Sequence, residues 1–237
     1  MIRFKINPAL GPRVERISLS QKWASLSGVR GIVILIVLVM GSIYSGIATP
    51  TEAAAVGAIG AMVMAIPRMK GKDFWHACLE TARTTSLIFA IVAGVLIYVH
   101  FLGFTGMPAA VSEWILALNM PTMVVLICIL LMYLFLGMFL DGIGMLLLTV
   151  PIILPTIKAL GVDPIVFGVL VVRMIEIGLI TPPVGLNVYV LKGVARDVSM
   201  GDMFKGCGWF VLVDVINVAI LLSFPQLITF IPSTMIK

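Results

Sequence analysis

Charge is scarce in this sequence. Only 11% of its 237 residues are Asp, Glu, Lys or Arg, against about 25% in a soluble domain, so the chain is poor in the groups that face water. Cysteine is nearly absent as well. Cys78, Cys128 and Cys207 are scattered thiols that offer neither a disulfide framework nor the spacing of a zinc site. Catalytic patterns are missing: His76 and His100 stand alone, and there is no HExxH, no GxSxG and no glycine loop for phosphate. ATP is therefore not expected as the energy source. The basic residues do not alternate with aromatics along a stripe, so the net charge of +5 does not point to nucleic acid. No cleavable signal peptide is expected, because the first apolar run starts only near Gly31.

What the chain does have is long apolar runs: 61% of it is hydrophobic. Gly31 to Tyr44 with its flanks, Thr85 to Phe104, Thr122 to Leu140 and Cys207 to Ile231 approach or reach the roughly 20 residues that cross a bilayer. The reading is an all-α, polytopic membrane protein. Positive charge on short loops marks the cytoplasmic side, and it orients the spans. Residues 1–29 carry Arg3, Lys5, Arg13, Arg16 and Lys22 and are expected to form a cytoplasmic leader. A span over about 30–48 then leaves, Ala53 to Ile66 returns, and Arg68, Lys70, Lys72 and Arg83 mark the cytoplasmic face again. A third span over about 84–103 leads to Gly106–Pro121, which contains no Lys or Arg and is read as periplasmic, with AAVSEWILAL lying along the surface. Residues 30–121 are thus scaffold-type helices, and 122–237 form the remainder. In that remainder 122–160 reads as a re-entrant hairpin with its tip near Asp141 and Gly142, since parity with the basic trio Lys192, Arg196 and Lys205 requires entry and exit by the same face. A broken crossing over 163–196 and a last span over about 207–231 follow, leaving the C-terminus outside.

The breaks carry the chemistry. In EIGLITPPVGLN, Glu176 to Asn187, two successive prolines end a helix, because proline lacks the amide hydrogen and clashes one turn back. Gly178 and Gly185 permit the turns that follow. Carbonyls freed at membrane depth cost several kcal/mol each unless protein, water or an ion satisfies them. The end of one half-helix can hold a cation and the start of the next an anion, and Thr181 and Asn187 add neutral oxygens. A plain proline kink is the bland alternative. The second interruption, GMFLDGIGM over Gly137 to Met145, adds Asp141, an acid in apolar surroundings that either binds a hard cation directly or merely caps a helix near the surface. Two interrupted segments in one apolar chain are the sequence pointer to a secondary-transporter site. Glu176 either pairs with Arg173 or serves the site. Asp214 reads as a packing acid held by Asn217. Thr49, Pro50 and Glu52 form a capping box with proline at the first helical position, and Ala53, Gly57, Ala61 and Ala65 form a small-residue face for close helix contact.

Three segments, GIATPTEAAAVGAIGAM, MFLDGIGMLLLTVPIILPTIKALGVDPIVFGV and EIGLITPPVGLNVYVLKGVA, together resemble the large membrane subunit of TRAP transporters, the tripartite ATP-independent periplasmic systems. The likeness runs from about Gly28 to the C-terminus. It implies sodium-driven uptake of organic acids such as C4-dicarboxylates, sialic acid or other sugar and keto acids. It also implies a periplasmic substrate-binding protein, a small membrane subunit and a bacterial or archaeal inner membrane, with sodium as coupling ion and no other cofactor. The family architecture is an elevator of two inverted repeats, each with a hairpin and a broken helix. On that pattern Asp141, Gly142, Gly178, Thr181, Pro182, Pro183, Gly185 and Asn187 fall at or near one sodium site and the substrate cleft. Asp141, Gly142, Thr181 and Gly185 are the sodium positions, and Glu176, Arg173 and Glu52 are supporting candidates. Met174 stands where the family usually has asparagine. Family subunits are much longer, and the first repeat is absent, so the chain resembles a C-terminal half: a truncated product, a product with a misassigned start, or one piece of a split subunit, not expected to transport alone. The competing class is a membrane scaffold that binds the small subunit and moves nothing; an intramembrane enzyme ranks third for lack of paired catalytic groups.

Overall fold

The computed structural model describes residues 19–234, with side chains described from Val29 onward apart from that of Arg68. Among these residues every regular element is helical. They fall into two compact units, 19–75 and 76–234; most of the expected leader lies outside the described residues.

The first unit is a helical pair. Helix α1, Leu19–Tyr44, starts about a dozen residues earlier than the sequence suggests and takes in the end of the expected leader. Helix α2, Pro50–Ala65, begins with the expected capping box. Thr49 accepts from Glu52 N, the Glu52 carboxylate accepts from Thr49 N at 2.8 Å, and Pro50 is the first helical residue. Close contact between the two helices runs through Ala53, which is fully buried, then Gly57 under Val39 and Gly60 under Leu35. Ala61 is exposed. The contact stripe thus steps from Gly57 to Gly60, not to Ala61, as a helix of 3.6 residues per turn requires when the face is followed for more than one turn.

Helix α3, Gly71–Thr105, begins in the last residues of the first unit and continues into the second, where α4 spans Met107–Ala117, α5 Thr122–Gly137 and α6 Gly142–Ala159. Then come α7 Pro164–Ile180, α8 Leu186–Val194, α9 Met200–Ser223 and α10 Gln226–Thr234. Helix α3 has 35 residues, about 52 Å at 1.5 Å per residue, longer than a hydrocarbon core of about 30 Å. Helices α3, α6 and α9 are long and apolar enough to cross a membrane. One span was expected over about 207–231; the structure has two helices, parted at Phe224–Pro225. Pro225 removes the amide that would bond Leu221 O, and the helix restarts one residue later.

The core of this unit is built around α7. Val166, Phe167, Leu170, Val171, Met174, Ile175 and Ile177 are buried against Val125, Leu126, Ile129, Leu130 and Tyr133 of α5 and against Met145, Ile153 and Ile157 of α6. Large apolar side chains cover much of the outer surface as well: Phe104 is 91% exposed and Val194 83%. So continuous an apolar exterior is incompatible with water and suits lipid or partner helices. The segment expected as a hairpin forms two helices parted by a break, and these do not pair principally with each other. Helix α5 lies along α7, and α6 lies against α4. The segment expected on the membrane surface, α4, is thereby part of the packed unit and buries Ser112.

Tyr133 holds three of these helices together. It is fully buried, its ring meets Phe167 of α7 edge-on with centroids 6.1 Å apart, and its hydroxyl lies 2.8 Å from Thr149 Oγ1 of α6. Thr149 Oγ1 is also 2.8 Å from Met145 O. Tyr133→Phe keeps the ring packing and removes one of the two partners of Thr149 Oγ1, leaving Met145 O, so it should cost about 1 kcal/mol, read as a lowered unfolding temperature in detergent; Tyr133→Phe matching the parent would show that the hydroxyl contributes nothing.

Candidate functional site: two helix breaks held side by side

The second break is narrower than the sequence suggests. It covers residues 181–185, so Gly178 and Asn187 are helical. Its local logic is set by the two prolines. Gly178 O loses the amide of residue 182 and accepts instead from Thr181 N at 3.0 Å. Leu179 O would bond the amide of residue 182 or 183, and both are prolines, so this carbonyl has no helical partner. Thr181 turns its hydroxyl back to Ile177 O at 2.5 Å. The Pro182–Pro183 peptide is cis. Gly185 restarts the chain at φ 62°, and its carbonyl accepts the amides of Val188 and Tyr189. Behind it, Phe204 of α9 approaches so closely that a methyl group on Gly185 would lie 2.8 Å from Phe204 Cε1 and 3.3 Å from Thr181 O. Sequence reasoning missed Phe204: an aromatic early in an apolar helix carries no signal that a glycine nineteen residues earlier will rest on it.

The first break covers residues 138–141. Its amides turn back into α5, with Phe139 N and Leu140 N both bonding Leu136 O, at 3.0 and 2.9 Å. Asp141 then caps α6: Oδ2 accepts from Ile143 N at 3.1 Å and from Gly144 N at 3.4 Å. The capping reading of Asp141 is therefore realised. Its other oxygen, Oδ1, has no hydrogen bond among the described residues, and the side chain is exposed.

Two glycines bring the breaks together. A methyl group on Gly178 would lie 2.7 Å from Gly137 C and 2.8 Å from Leu134 O; one on Gly137 would lie 3.3 Å from Ile175 Cα and O. The backbones of α5 and α7 touch here, at the last residue of α5 and two residues before the end of α7. Gly142, just past the first break, faces Ile175 at 3.1 Å by the same measure. The structure thus sets Gly137 against Gly178 and Gly142 against Ile175, and the two breaks, with Asp141 in one and Thr181 and Gly185 in the other, begin just beyond that contact. Freed carbonyls, a threonine hydroxyl and a half-committed carboxylate are hard oxygen donors, the set that suits a small cation. Asn187, on the exposed first turn of α8, stands beyond this contact.

The remaining candidates have other partners. Arg173 Nη1 donates to Glu176 Oε2 at 2.7 Å, and Nη2 donates to Asp214 Oδ1 of α9. The local pairing of Arg173 with Glu176 is as read from the sequence, but Asp214 is held by Arg173, not Asn217. Glu52 belongs to the other unit, where its carboxylate is taken by the cap.

A family model, the DctM component of tripartite ATP-independent periplasmic transporters, matches residues 6–227. This chain belongs to the DctM family. It is 33% identical over 188 residues to the C4-dicarboxylate TRAP transporter large permease protein DctM of Rhodobacter capsulatus, covering 78% of this chain and 43% of that protein. Against the sialic acid TRAP transporter large permease protein SiaM of Vibrio cholerae, identity is 32%, over 83% of this chain and 46% of the relative. Against the ectoine TRAP transporter large permease protein TeaC of Halomonas elongata it is 30%, over 82% and 46%. This DctM-family chain therefore spans about half the length of the curated relatives it matches. They are permeases, not enzymes, in keeping with the missing catalytic patterns, and with the apolar helices they make this a multi-pass membrane protein.

Proposed function

We propose that this chain is the C-terminal half of the large permease subunit of a sodium-coupled TRAP transporter that takes up a small organic acid. The observation that carries the reading is the backbone contact of Gly137 with Gly178, which sets two interrupted helices side by side. In this reading α5 and α6 form a re-entrant hairpin, and Asp141, Gly142, Thr181 and Gly185 hold sodium. The substrate lies against the break between α7 and α8, near Pro182, Pro183 and Asn187. A periplasmic binding protein delivers it, a small membrane subunit completes the complex, and a preceding repeat supplies the other side of the cleft. The protein sits in the inner membrane with its N-terminus cytoplasmic and its C-terminus periplasmic. Uptake then runs on the sodium gradient by an elevator motion, and vesicles holding this chain alone take up nothing.

The test separates ligand from cap. In the reconstituted complete complex, Thr181→Ala removes a hydroxyl from a charged partner, worth about 1.5–3 kcal/mol, so half-maximal uptake should need roughly 10- to 100-fold more sodium. Asn caps a helix as well as Asp does. Asp141→Asn should therefore preserve folding and still weaken sodium dependence. If both variants take up substrate at the parent's sodium concentration, the cation site is refuted, and the scaffold that moves nothing becomes the better reading.

A further inference from the structure

The Arg173–Glu176–Asp214 cluster lies outside the site just described and has a charge of its own. One guanidinium faces two carboxylates, leaving a net charge of −1. Arg173 sits near the middle of α7 and Asp214 past the middle of α9. Asp214 is fourteen residues from the start of α9, about 21 Å at 1.5 Å per residue. The surroundings are apolar and uncovered: Val169 and Val172 of α7, and Phe210, Val213 and Val215 of α9, are exposed. The Glu176 side chain is 53% exposed, against 31% for Arg173 and 24% for Asp214. A half-exposed, net anionic cluster in the apolar stretch of a spanning helix is costly, and charges at such depth pair with others or face an interior.

We propose that this cluster is an intramembrane docking point for a lysine or arginine carried by a membrane helix of the rest of the permease. A basic side chain there brings the cluster to neutrality. A solute anion does not fit, because both terminal nitrogens of Arg173 are already given to carboxylates, its Nε is buried without a partner, and the anion would meet two negative charges. A second copy of the chain would set one net anionic cluster against another. A lipid ammonium lies at the ends of these helices, not their middles. Further helices are available, because the relatives carry about half of their length beyond the region this chain matches. The source of the occupant rests on the permease reading; the charge argument does not, and no step below depends on sodium or uptake.

The test uses native membranes containing the complete permease. A photo-crosslinking amino acid at position 172, one helical turn before Glu176 and on its face, should join to a membrane-helix peptide with Lys or Arg within one turn of the joined residue. Glu176→Gln should reduce that adduct and Glu176→Lys abolish it. Exchanging the partner's basic residue for Glu in the Glu176→Lys chain should restore it, which a misfolded variant would not permit. Adducts confined to lipid or to a second copy, an adduct that ignores the charge at position 176, or modification of Val172→Cys by a membrane-impermeant thiol reagent would overturn the proposal.

Discussion

Gly178→Ala should lower the stability of this protein more than any other single methyl group added to α7. The new methyl would stand 2.7 Å from Gly137 C, 2.8 Å from Leu134 O and 2.9 Å from Gly137 Cα. All three are backbone atoms of α5, so no rotamer change relieves the collision, and the helices must separate. Overpacking of this kind costs about 1–3 kcal/mol, occasionally more, and a rigid backbone neighbour places the site at the upper end. An unfolding midpoint in detergent should fall by roughly 6–12 °C for about 3 kcal/mol. Gly168→Ala is the control: it lies on the same helix with nothing within 4 Å of the added methyl, and alanine is favoured over glycine in a helix interior by about 1 kcal/mol. Equal midpoints for the two variants would mean that α5 and α7 do not touch at Gly178. Because both breaks hang from that contact, Gly178→Ala should also abolish uptake by the complete transporter under conditions where Gly168→Ala leaves it intact.

The glycine contact also shows which parts of this protein are legible in its sequence. Features decided within one helical turn could be read directly. Thr49, Pro50 and Glu52 form the expected cap, Pro182 and Pro183 interrupt the helix where proline must, and Arg173 reaches Glu176 at the i,i+3 spacing. Features decided by which faces meet could not. The bond from Arg173 to Asp214 crosses 41 positions, and no spacing rule connects them, so a nearer partner, Asn217, had the stronger local claim. Gly178 attracted notice as a hinge, yet it is helical and acts through its missing side chain, at a contact with α5. Tyr133 and Phe204 are aromatics in apolar runs, and only the packed structure distinguishes them from Phe135 or Phe210, which are exposed. Pro225 was visible in the sequence; a run of apolar residues continuing beyond it concealed a second helix.

Gly185→Val should be the most damaging change within the break between α7 and α8, for two reasons that can be measured apart. The residue lies at φ 62°, where a side chain costs about 1–2 kcal/mol and a β-branched one is a true outlier. Its Cβ would also stand 2.8 Å from Phe204 Cε1. The ring edge can swing aside, so the second penalty is the smaller and is removable. Phe204→Ala combined with Gly185→Val should therefore be less destabilised than the sum of the single changes, by up to about 1 kcal/mol for residues in contact, while the backbone penalty persists. Gly185→Asn isolates the complementary part, since asparagine tolerates this conformation but still meets the ring. In the complete transporter Gly185→Val should abolish uptake, and Phe204→Ala should not restore it. The decisive quantity is the backbone turn, which starts α8 with the Gly185 carbonyl accepting from Val188 N and Tyr189 N. Uptake that survived Gly185→Val at the parent's rate would show that the solute does not pass this turn.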